Sequence, residues 1–278
     1  MRTVAIVGVG LIGGSFGLAL RAAGFDGRIL GVSSNQTTRK AVALGAIDEG
    51  LPIERAVPIA DVIYLAQPIG GILDTIRHLD SLHPRPGALV TDAGSTKNAI
   101  VSAAQASLHG CQFLGGHPMA GKETRGVESA DSRLFAGRPY VLAPANPEEL
   151  ETPAARTFIE WLTKIGARTV AIGAEEHDRM VAFSSHVPQL ASTALAATLA
   201  ESCPEAARVA GPGLVDATRL ALSSYDLWRD ILATNTNAIS EALQIYIAKL
   251  EHIRENLRTR QVKEEFESGG AFARRLRD

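Results

Sequence analysis

The first twenty-five residues contain the pattern that most constrains the fold. A short β-branched and apolar run, Thr3–Val7, leads directly into glycines spaced as G-x-G-x-x-G, and a helical pattern then extends to Gly24. In such a strand, turn and helix, the glycines allow a tight turn, close approach of a pyrophosphate to the backbone, and tight packing of helix on strand. The pattern predicts a Rossmann-type dinucleotide site, with a purely structural glycine turn as the alternative. The candidate cofactor-binding residues are Gly8, Gly10, Leu11, Ile12 and Gly13.

The loop after the second predicted strand, Arg28–Val32, bears on the choice of cofactor. In Rossmann units a carboxylate at this point binds the ribose 2′-hydroxyl of NAD and disfavours the 2′-phosphate of NADP. This chain has Ser33, Ser34 and Asn35 there. The serine hydroxyls and the nearby Arg39 are able to receive a phosphate, so the loop mildly favours NADP over NAD. The alternative is that these residues only cap the next helix.

The rest of the first half alternates strands with helical patterns. A further buried strand is predicted at 61–66, and other strands are predicted at 88–92, 112–114, 139–143 and 168–172. Such alternation predicts a doubly wound α/β sheet, which we assign to a dinucleotide-binding domain of residues 1–173. Loops at the carboxyl ends of parallel strands line the cofactor crevice, so Gln67 and Pro68 are further candidate cofactor-binding residues.

From Glu175 onward the apolar period becomes helical and strand signals vanish. We therefore expect an all-α domain of residues 174–278 that serves substrate binding and dimerisation. A first helix should be buried along one side and bent at Pro188, and a second long helix should extend from Tyr225 to Leu257. The apolar stripe of the second helix suits a subunit interface as well as an internal core, and we expect a homodimer. The first helix has its apolar stripe at Met180, Phe183, Val187, Leu190, Ala191, Ala194 and Leu195.

The composition is typical of a globular, cytoplasmic protein. Hydrophobic residues make up 46% and charged residues 21% of 278, and the net charge is -2. The sequence has no basic patch for nucleic acid and no stretch that favours a membrane span. Cys111 and Cys203 lie far apart and outside any metal-ligand spacing, so neither a disulfide framework nor a metal site is expected. The charged segment 258–278 is expected to be solvated or docked against a partner.

One imidazole, His117, lies in the glycine-rich segment 115–121, where backbone and ligand can approach closely. By default an isolated histidine is structural or a metal ligand, but this one follows a predicted strand, where a crevice would open. Ser95 also follows a strand, and its hydroxyl can both donate and accept a hydrogen bond. It is a candidate to orient an imidazole or hold a substrate hydroxyl, or else to cap a helix that starts near Thr96.

Taken in order, five segments resemble the prephenate and arogenate dehydrogenases of tyrosine biosynthesis, and the resemblance extends to about Asn256. The segments are the glycine turn, 91–97, 115–121, 216–219 and 228–230. The resemblance implies NAD(P)-dependent oxidative decarboxylation of prephenate or arogenate, with His117 as the base and Ser95 orienting it. It implies that Arg219 binds a substrate carboxylate. The further candidate substrate-binding residues are His186, Gln189, Glu123 and Trp228.

At three positions this sequence departs from the family pattern, and these departures limit how many of the family's residue roles can be assigned to this chain. Gln189 stands where a second histidine is common, Lys122 stands where a threonine is common, and the second strand lacks its acid. Because Ser223 is not acidic, no carboxylate is evident for the ammonium group of arogenate, and prephenate is mildly favoured. A β-hydroxyacid dehydrogenase is the nearest alternative, although no helical lysine base stands out; a nucleotide-sensing regulator is a more distant one.

Overall fold

Eight strands form one sheet in the computed structural model, which describes residues 1–122 and 124–277. Their order is β3-β2-β1-β4-β5-β6-β7-β8. The pairs from β3 to β6 are parallel, β7 is antiparallel to β6, and β8 is parallel to β7. The strands are β1 (Thr3–Val7), β2 (Arg28–Val32), β3 (Glu49–Gly50), β4 (Val62–Leu65), β5 (Leu89–Asp92), β6 (Gln112–Pro118), β7 (Pro139–Ala143) and β8 (Arg168–Ala171).

Helices cover the sheet and then form the second half of the chain. Those between the strands are α1 (Leu11–Ala22), α2 (Asn35–Ala43), α3 (Ile53–Ala56), α4 (Ile69–Leu79), α5 (Asn98–Ser107) and α6 (Pro153–Lys164). Those after the sheet are α7 (Ala174–Val181), α8 (Val187–Ser202), α9 (Pro212–Thr218), α10 (Tyr225–Thr234), α11 (Thr236–Glu255) and α12 (Lys263–Arg275). The predicted architecture of a doubly wound sheet followed by an all-α region is confirmed.

Both faces of the central strands are buried, as the apolar runs predict. Along β1, Val4 and Ile6 pack into the apolar cluster on one face, whereas Ala5 and Val7 pack into the cluster on the other. On the first face Phe16 of α1 stacks on Tyr64 of β4 with ring centroids 4.1 Å apart. Burial on two sides explains why these strands are continuously apolar, as is typical of parallel sheets.

The sheet brings the carboxyl ends of three strands that carry site residues, β1, β4 and β6, to the same side. Chain order reverses between β1 and β4, which opens a crevice beyond their carboxyl ends. The residues that follow β1 and β4 begin with Gly8 and Ala66, and β6 carries His117 near its end. Gly8 has φ +95°, and a Cβ there would lie 2.7 Å from the Ala66 carbonyl, so the turn requires glycine.

The helical half differs from its prediction in two respects. The long helix expected from Tyr225 to Leu257 is two helices, α10 and α11, with Asn235 between them. The apolar stripe of the first helix is also not buried as expected, because Met180 and Phe183 are about half exposed. The internal core of this region is small, and among the described residues most of the stripe is left partly or largely exposed. The buried residues of that core are Ala182, Val187, Ile239 and Ala242.

Just before Pro188, where a bend was expected, the structure has a π-helical turn. The turn spans Ala182–His186 and joins α7 to α8, and Pro188 stands in the first turn of α8. Proline has no N–H to donate, so a locally wider turn accommodates it with little loss of hydrogen bonding. Among the helices that the structure describes, none combines the length and apolarity needed to cross a membrane.

Candidate active site

A cavity of about 660 Å³ lies along the carboxyl ends of β1, β2 and β4. Its wall includes Gly10, where a Cβ would meet no atom within 4 Å and would project into open space. Gly10 is also the N-cap of α1, and no side chain caps that helix, so its first N–H groups are available to a phosphate. The predicted residues that line the cavity are Gly8, Gly10, Ser33, Gln67 and Pro68.

These features fit the pyrophosphate of a dinucleotide. The third motif glycine, Gly13, has a packing role, since a Cβ there would lie 2.2 Å from the Gly8 carbonyl oxygen. Leu11 and Ile12, in the first turn of α1, are half-buried and are not among the lining residues. Their predicted contribution is therefore through backbone N–H groups rather than through side chains.

The loop after β2 contains one serine that caps the next helix and one that lines the cavity. Ser34 caps α2, because its Oγ accepts from Thr37 N at 3.2 Å. Ser33 faces the cavity. Arg39 is exposed and is not among the lining residues, whereas Lys40 lines the cavity and pairs with Glu128. Lys40 and Glu128 were not predicted as site residues.

His117 lies on β6 and is buried, with a side chain from the helical half against it. Its Nδ1 is 2.8 Å from Nε2 of His177, and Nδ1 of His177 is 2.8 Å from Oδ1 of Asp178. The carboxylate of Asp178 also accepts from the backbone N–H groups of Lys97 and Asn98, at 2.7 and 2.9 Å. It is therefore an acceptor for all three groups.

This chain of hydrogen bonds assigns the tautomers of both rings. Because Asp178 accepts, Nδ1 of His177 donates and its Nε2 is left as an acceptor. Nδ1 of His117 then donates to that Nε2, which leaves Nε2 of His117 with a free lone pair. Burial, followed by the nearby His177, Lys97 and His186, lowers the pKa of His117 well below 6.5. At neutral pH His117 is thus an uncharged base whose lone pair lies at Nε2.

Two buried carboxylates hold the loops around His117. Asp92, at the end of β5, accepts from the N–H groups of Gly94 and Gly116 at 2.8 and 3.0 Å and forms an ion pair with Lys97. Neither side chain of the ion pair is exposed. Asp178 caps α5 from the other half of the chain, since it accepts from the N–H of Asn98, the first residue of α5. The strand ends and the helical half are thereby joined at the site.

His186, the second predicted histidine, is also buried and belongs to the same network. Its Nδ1 accepts from Nδ2 of Asn235 at 3.3 Å, and that amide also donates to the Asp178 carbonyl at 2.8 Å. Burial lowers the pKa of His186 to about 4, so the ring is neutral and carries its proton on Nε2. Trp228 packs edge to face on His186 at 5.7 Å, and its Nε1 is buried without a hydrogen-bond partner in the described residues.

The structure places the remaining predicted residues as follows. Gln189 is buried, and its Nε2 donates to the Leu220 carbonyl at 2.8 Å, one residue from Arg219. Arg219 is exposed and opens the short 3-10 turn Arg219–Leu222. Ser95 is half-buried and follows β5, but it does not cap a helix, because α5 begins at Asn98. Glu123 lies outside the described residues.

Sequence reasoning missed His177 and Asp178. Their one local signal is an adjacent histidine and aspartate just after the switch from strand to helical periodicity. His177 makes the hydrogen bond to His117 that was expected of Ser95. In the described part of the chain, no group of three or more His, Cys, Asp or Glu side chains is arranged to hold a metal ion.

Two family profiles match the chain along most of its length. The nucleotide-binding domain of prephenate dehydrogenase matches residues 16–171, and the dimerization domain of prephenate dehydrogenase matches residues 173–269. The chain belongs to the prephenate dehydrogenase family. This family membership makes it an oxidoreductase that uses NAD(P), as the geometry of the crevice indicates.

Individual relatives agree with the family assignment. The prephenate dehydrogenase of Lactococcus lactis is 31% identical over 258 residues, which cover 91% of this chain and 70% of the relative. The structure of Aquifex aeolicus prephenate dehydrogenase with hydroxyphenyl propionate and NAD+ superposes with a TM-score of 0.84 at 32% identity, covering 100% of this chain and 96% of that one. Synechocystis arogenate dehydrogenase superposes with a TM-score of 0.83 at 30% identity, covering 99% of each chain.

Proposed function

We propose that this member of the prephenate dehydrogenase family catalyses oxidative decarboxylation of prephenate to 4-hydroxyphenylpyruvate, with arogenate as the second candidate substrate. The observation that carries the proposal is the hydrogen-bonded chain from His117 through His177 to Asp178. It leaves Nε2 of a neutral imidazole free near the carboxyl end of β6, which runs parallel to β5, and the cavity lies along the carboxyl ends of other strands of the same sheet. A hydroxyl-bearing ring carbon needs such a base when it is oxidised.

In the proposed reaction the main task of the protein side chains is to accept the proton of the substrate hydroxyl. The bound nicotinamide supplies an acceptor for the hydride that leaves the hydroxyl-bearing carbon of the substrate ring. His117 takes the hydroxyl proton at Nε2 while its Nδ1 stays bonded to His177. General-base assistance of this kind contributes about 10² to 10⁴ in rate. Loss of the ring carboxylate as CO2 makes the ring aromatic, so the overall reaction is strongly favourable.

The substrate is proposed to lie between the two histidines and the 3-10 turn that carries Arg219. The guanidinium of Arg219 suits a substrate carboxylate, because its planar donors match the two oxygens. Gln189 supports that turn through its bond to the Leu220 carbonyl. His186 presents an Nε2 donor, and Trp228 packs behind it. Ser95 is retained as a candidate partner for the substrate hydroxyl, and Glu123 as a candidate at the entrance.

Two assays test the proposed reaction. Reduction of NAD+ and NADP+ is followed by absorbance with prephenate and with arogenate, and the aromatic products are identified by mass spectrometry. The proposal expects 4-hydroxyphenylpyruvate from prephenate with at least one cofactor. Folded protein that binds a dinucleotide but turns over neither acid would contradict it and would favour a hydroxyacid dehydrogenase.

The organisation of the protein forms part of the proposal. We assign residues 1–173 to the nucleotide-binding domain and 174–278 to a substrate and dimerisation domain, and we place the protein in the cytoplasm. Exposed apolar side chains on α11, which include Ile247 and Leu250, support a homodimer through the helical half. Sedimentation at micromolar concentration should give the mass of a dimer, and a monomer would contradict this assignment.

A further inference from the structure

Lys40 and Glu128 form an ion pair across the outer end of the cofactor crevice. They are 88 residues apart in the chain, and Nζ of Lys40 contacts Oε1 of Glu128. Both residues line the same cavity as Ser33, which follows β2. Their side chains are 45% and 55% exposed, so a bound ligand can reach either group.

Glu128 is held in place by the packing of its own turn. The turn Val127–Ser129 lies between β6 and β7, and Val127 is buried against Gly14 of α1, where an added Cβ would lie 2.9 Å from a Val127 methyl group. Two residues further on, the Asp131 N–H donates to Ser15 Oγ at 2.9 Å. The hydrogen bond from Lys40 lowers the pKa of Glu128, so the carboxylate is ionised at neutral pH.

Lys40 comes from the opposite side, on α2. It lies one helical turn after Thr37, which also lines the cavity, so the two side chains share a face of the helix. The N-terminus of α2 is fixed by Ser34, and the same helix follows the loop that normally reads the adenosine ribose. The pair therefore lines the same cavity as the loop that reads the ribose 2′ position in Rossmann units.

Lys40 and Glu128 are the charged residues among the described residues that line this cavity. A 2′-phosphate brings a charge of about −1.5 to −2 at neutral pH, which Lys40 attracts and Glu128 repels. A free 2′-hydroxyl brings no charge and can donate to a carboxylate such as Glu128. The two residues thus favour opposite cofactors.

We propose that the Lys40–Glu128 pair determines how this crevice discriminates between a 2′-phosphate and a free 2′-hydroxyl on the adenosine ribose. This inference rests on the proposed dinucleotide function. Glu128 supplies, from the segment between β6 and β7, the acid that the loop after β2 lacks. Lys40 supplies the cation for a 2′-phosphate: its ammonium group separates from Glu128 and binds the phosphate instead. With both charges present, the crevice accepts both cofactors.

Calorimetric binding of two nucleotide fragments tests this assignment without turnover. The probes are 5′-AMP and adenosine 2′,5′-bisphosphate, which differ by the 2′-phosphate alone, and the proteins are the wild type, Lys40→Gln and Glu128→Gln. Loss of Glu128 should raise affinity for the bisphosphate about tenfold, and loss of Lys40 should lower it about tenfold. Affinity for 5′-AMP should be unchanged in Lys40→Gln and should fall by less than about threefold in Glu128→Gln, because the AMP lacks the 2′-phosphate and the glutamine Oε1 still accepts from its 2′-hydroxyl.

Three further results decide the outcome. Glu151→Gln and Arg156→Gln break an exposed ion pair outside the cavity and should leave both affinities unchanged. If Arg39→Gln, rather than Lys40→Gln, abolishes the preference for the bisphosphate, the assignment to Lys40 is overturned. If the wild type binds both fragments and neither Lys40→Gln nor Glu128→Gln alters their ratio, this inference fails while the proposed function stands. Binding of neither fragment would instead contradict the dinucleotide function itself.

Discussion

His117 and His177 meet edge to face, with Nδ1 of the first 2.8 Å from Nε2 of the second and their ring planes at 76°. The two residues come from different halves of the chain, one from a sheet strand and one from the first helix after the sheet. Because His177 is itself bonded to Asp178, the contact fixes which nitrogen of His117 carries the lone pair. The helical half thus sets the chemistry of a residue on the sheet.

Removal of His177 should therefore slow catalysis without weakening dinucleotide binding. We expect His177→Ala to lower kcat by about 10² or more, because His117 then samples the wrong tautomer and orientation. KM for the acid substrate should change far less than kcat, and calorimetric affinity for NAD+ should be retained. His78→Ala, which removes an exposed histidine on α4, is the matched control. An unchanged kcat in His177→Ala would show that the contact has no role in catalysis.

The pH profile should reflect the lowered pKa of His117. This group acts as a base only when it is neutral, and burial, with His177, Lys97 and His186 nearby, holds its pKa well below 6.5. The neutral form therefore predominates above that lowered pKa, and kcat/KM should stay level as the pH falls through 6.5. The decline should begin only at lower pH, with substrate stability checked in enzyme-free samples. An acid limb centred at or above 6.5 would disagree with the buried, neutral base.

Gly10 offers a way to separate cofactor binding from folding. A methyl group there meets open space and φ is -92°, so Gly10→Ala should leave the free energy of unfolding within about 0.5 kcal/mol of the wild type. The same methyl would project into the cavity, and we expect calorimetric affinity for NAD+ and NADP+ to fall about tenfold or more. Gly173→Ala, another open position, is the control. Unaltered affinity in Gly10→Ala would mean that the pyrophosphate binds elsewhere.

The buried pair of Asp92 and Lys97 should matter for stability. Asp92→Asn keeps the shape of the side chain but removes the charge that pairs directly with the buried Lys97 ammonium. Loss of one partner of such a pair typically lowers the free energy of unfolding by about 3 to 5 kcal/mol, and urea titration should detect it. Glu151→Gln, in an exposed pair, should change stability by less than about 1 kcal/mol. Equal effects of the two substitutions would refute this account of Asp92.

Local patterns in the sequence were enough to predict the sheet, although they ended the strand at Leu114 and put His117 just after it, whereas β6 continues through His117 to Pro118. The glycine turn and the apolar strands depend on residues that are neighbours in the chain, and their periodicity is visible directly. The break at Asn235 is different, because it is accompanied by bonds from its side chain to the Asp178 carbonyl and to His186. No pattern within 225–257 carries that information.

The contacts missed at the site were likewise long-range. His117 and His177 are 60 residues apart, and Lys40 and Glu128 are 88 apart. A sequence indicates which side chains can donate or accept, but the choice between Ser95 and His177 as the partner of His117 depends on how α7 docks against β6. The exposed stripe with Met180 and Phe183 was expected to be buried within the chain. Helical periodicity shows that one face of a helix is apolar, but it does not show whether that face packs inside the chain or against another one.

The most direct test of the central claim is the rate of cofactor reduction by His117→Ala with prephenate, measured beside its affinity for NAD+. The account predicts a kcat lower by about 10² to 10⁴, with NAD+ affinity close to that of the wild type, because the variant lacks only the base. A variant that retains wild-type kcat would contradict the assignment of His117 as the base and, with it, the role given to His177 and Asp178.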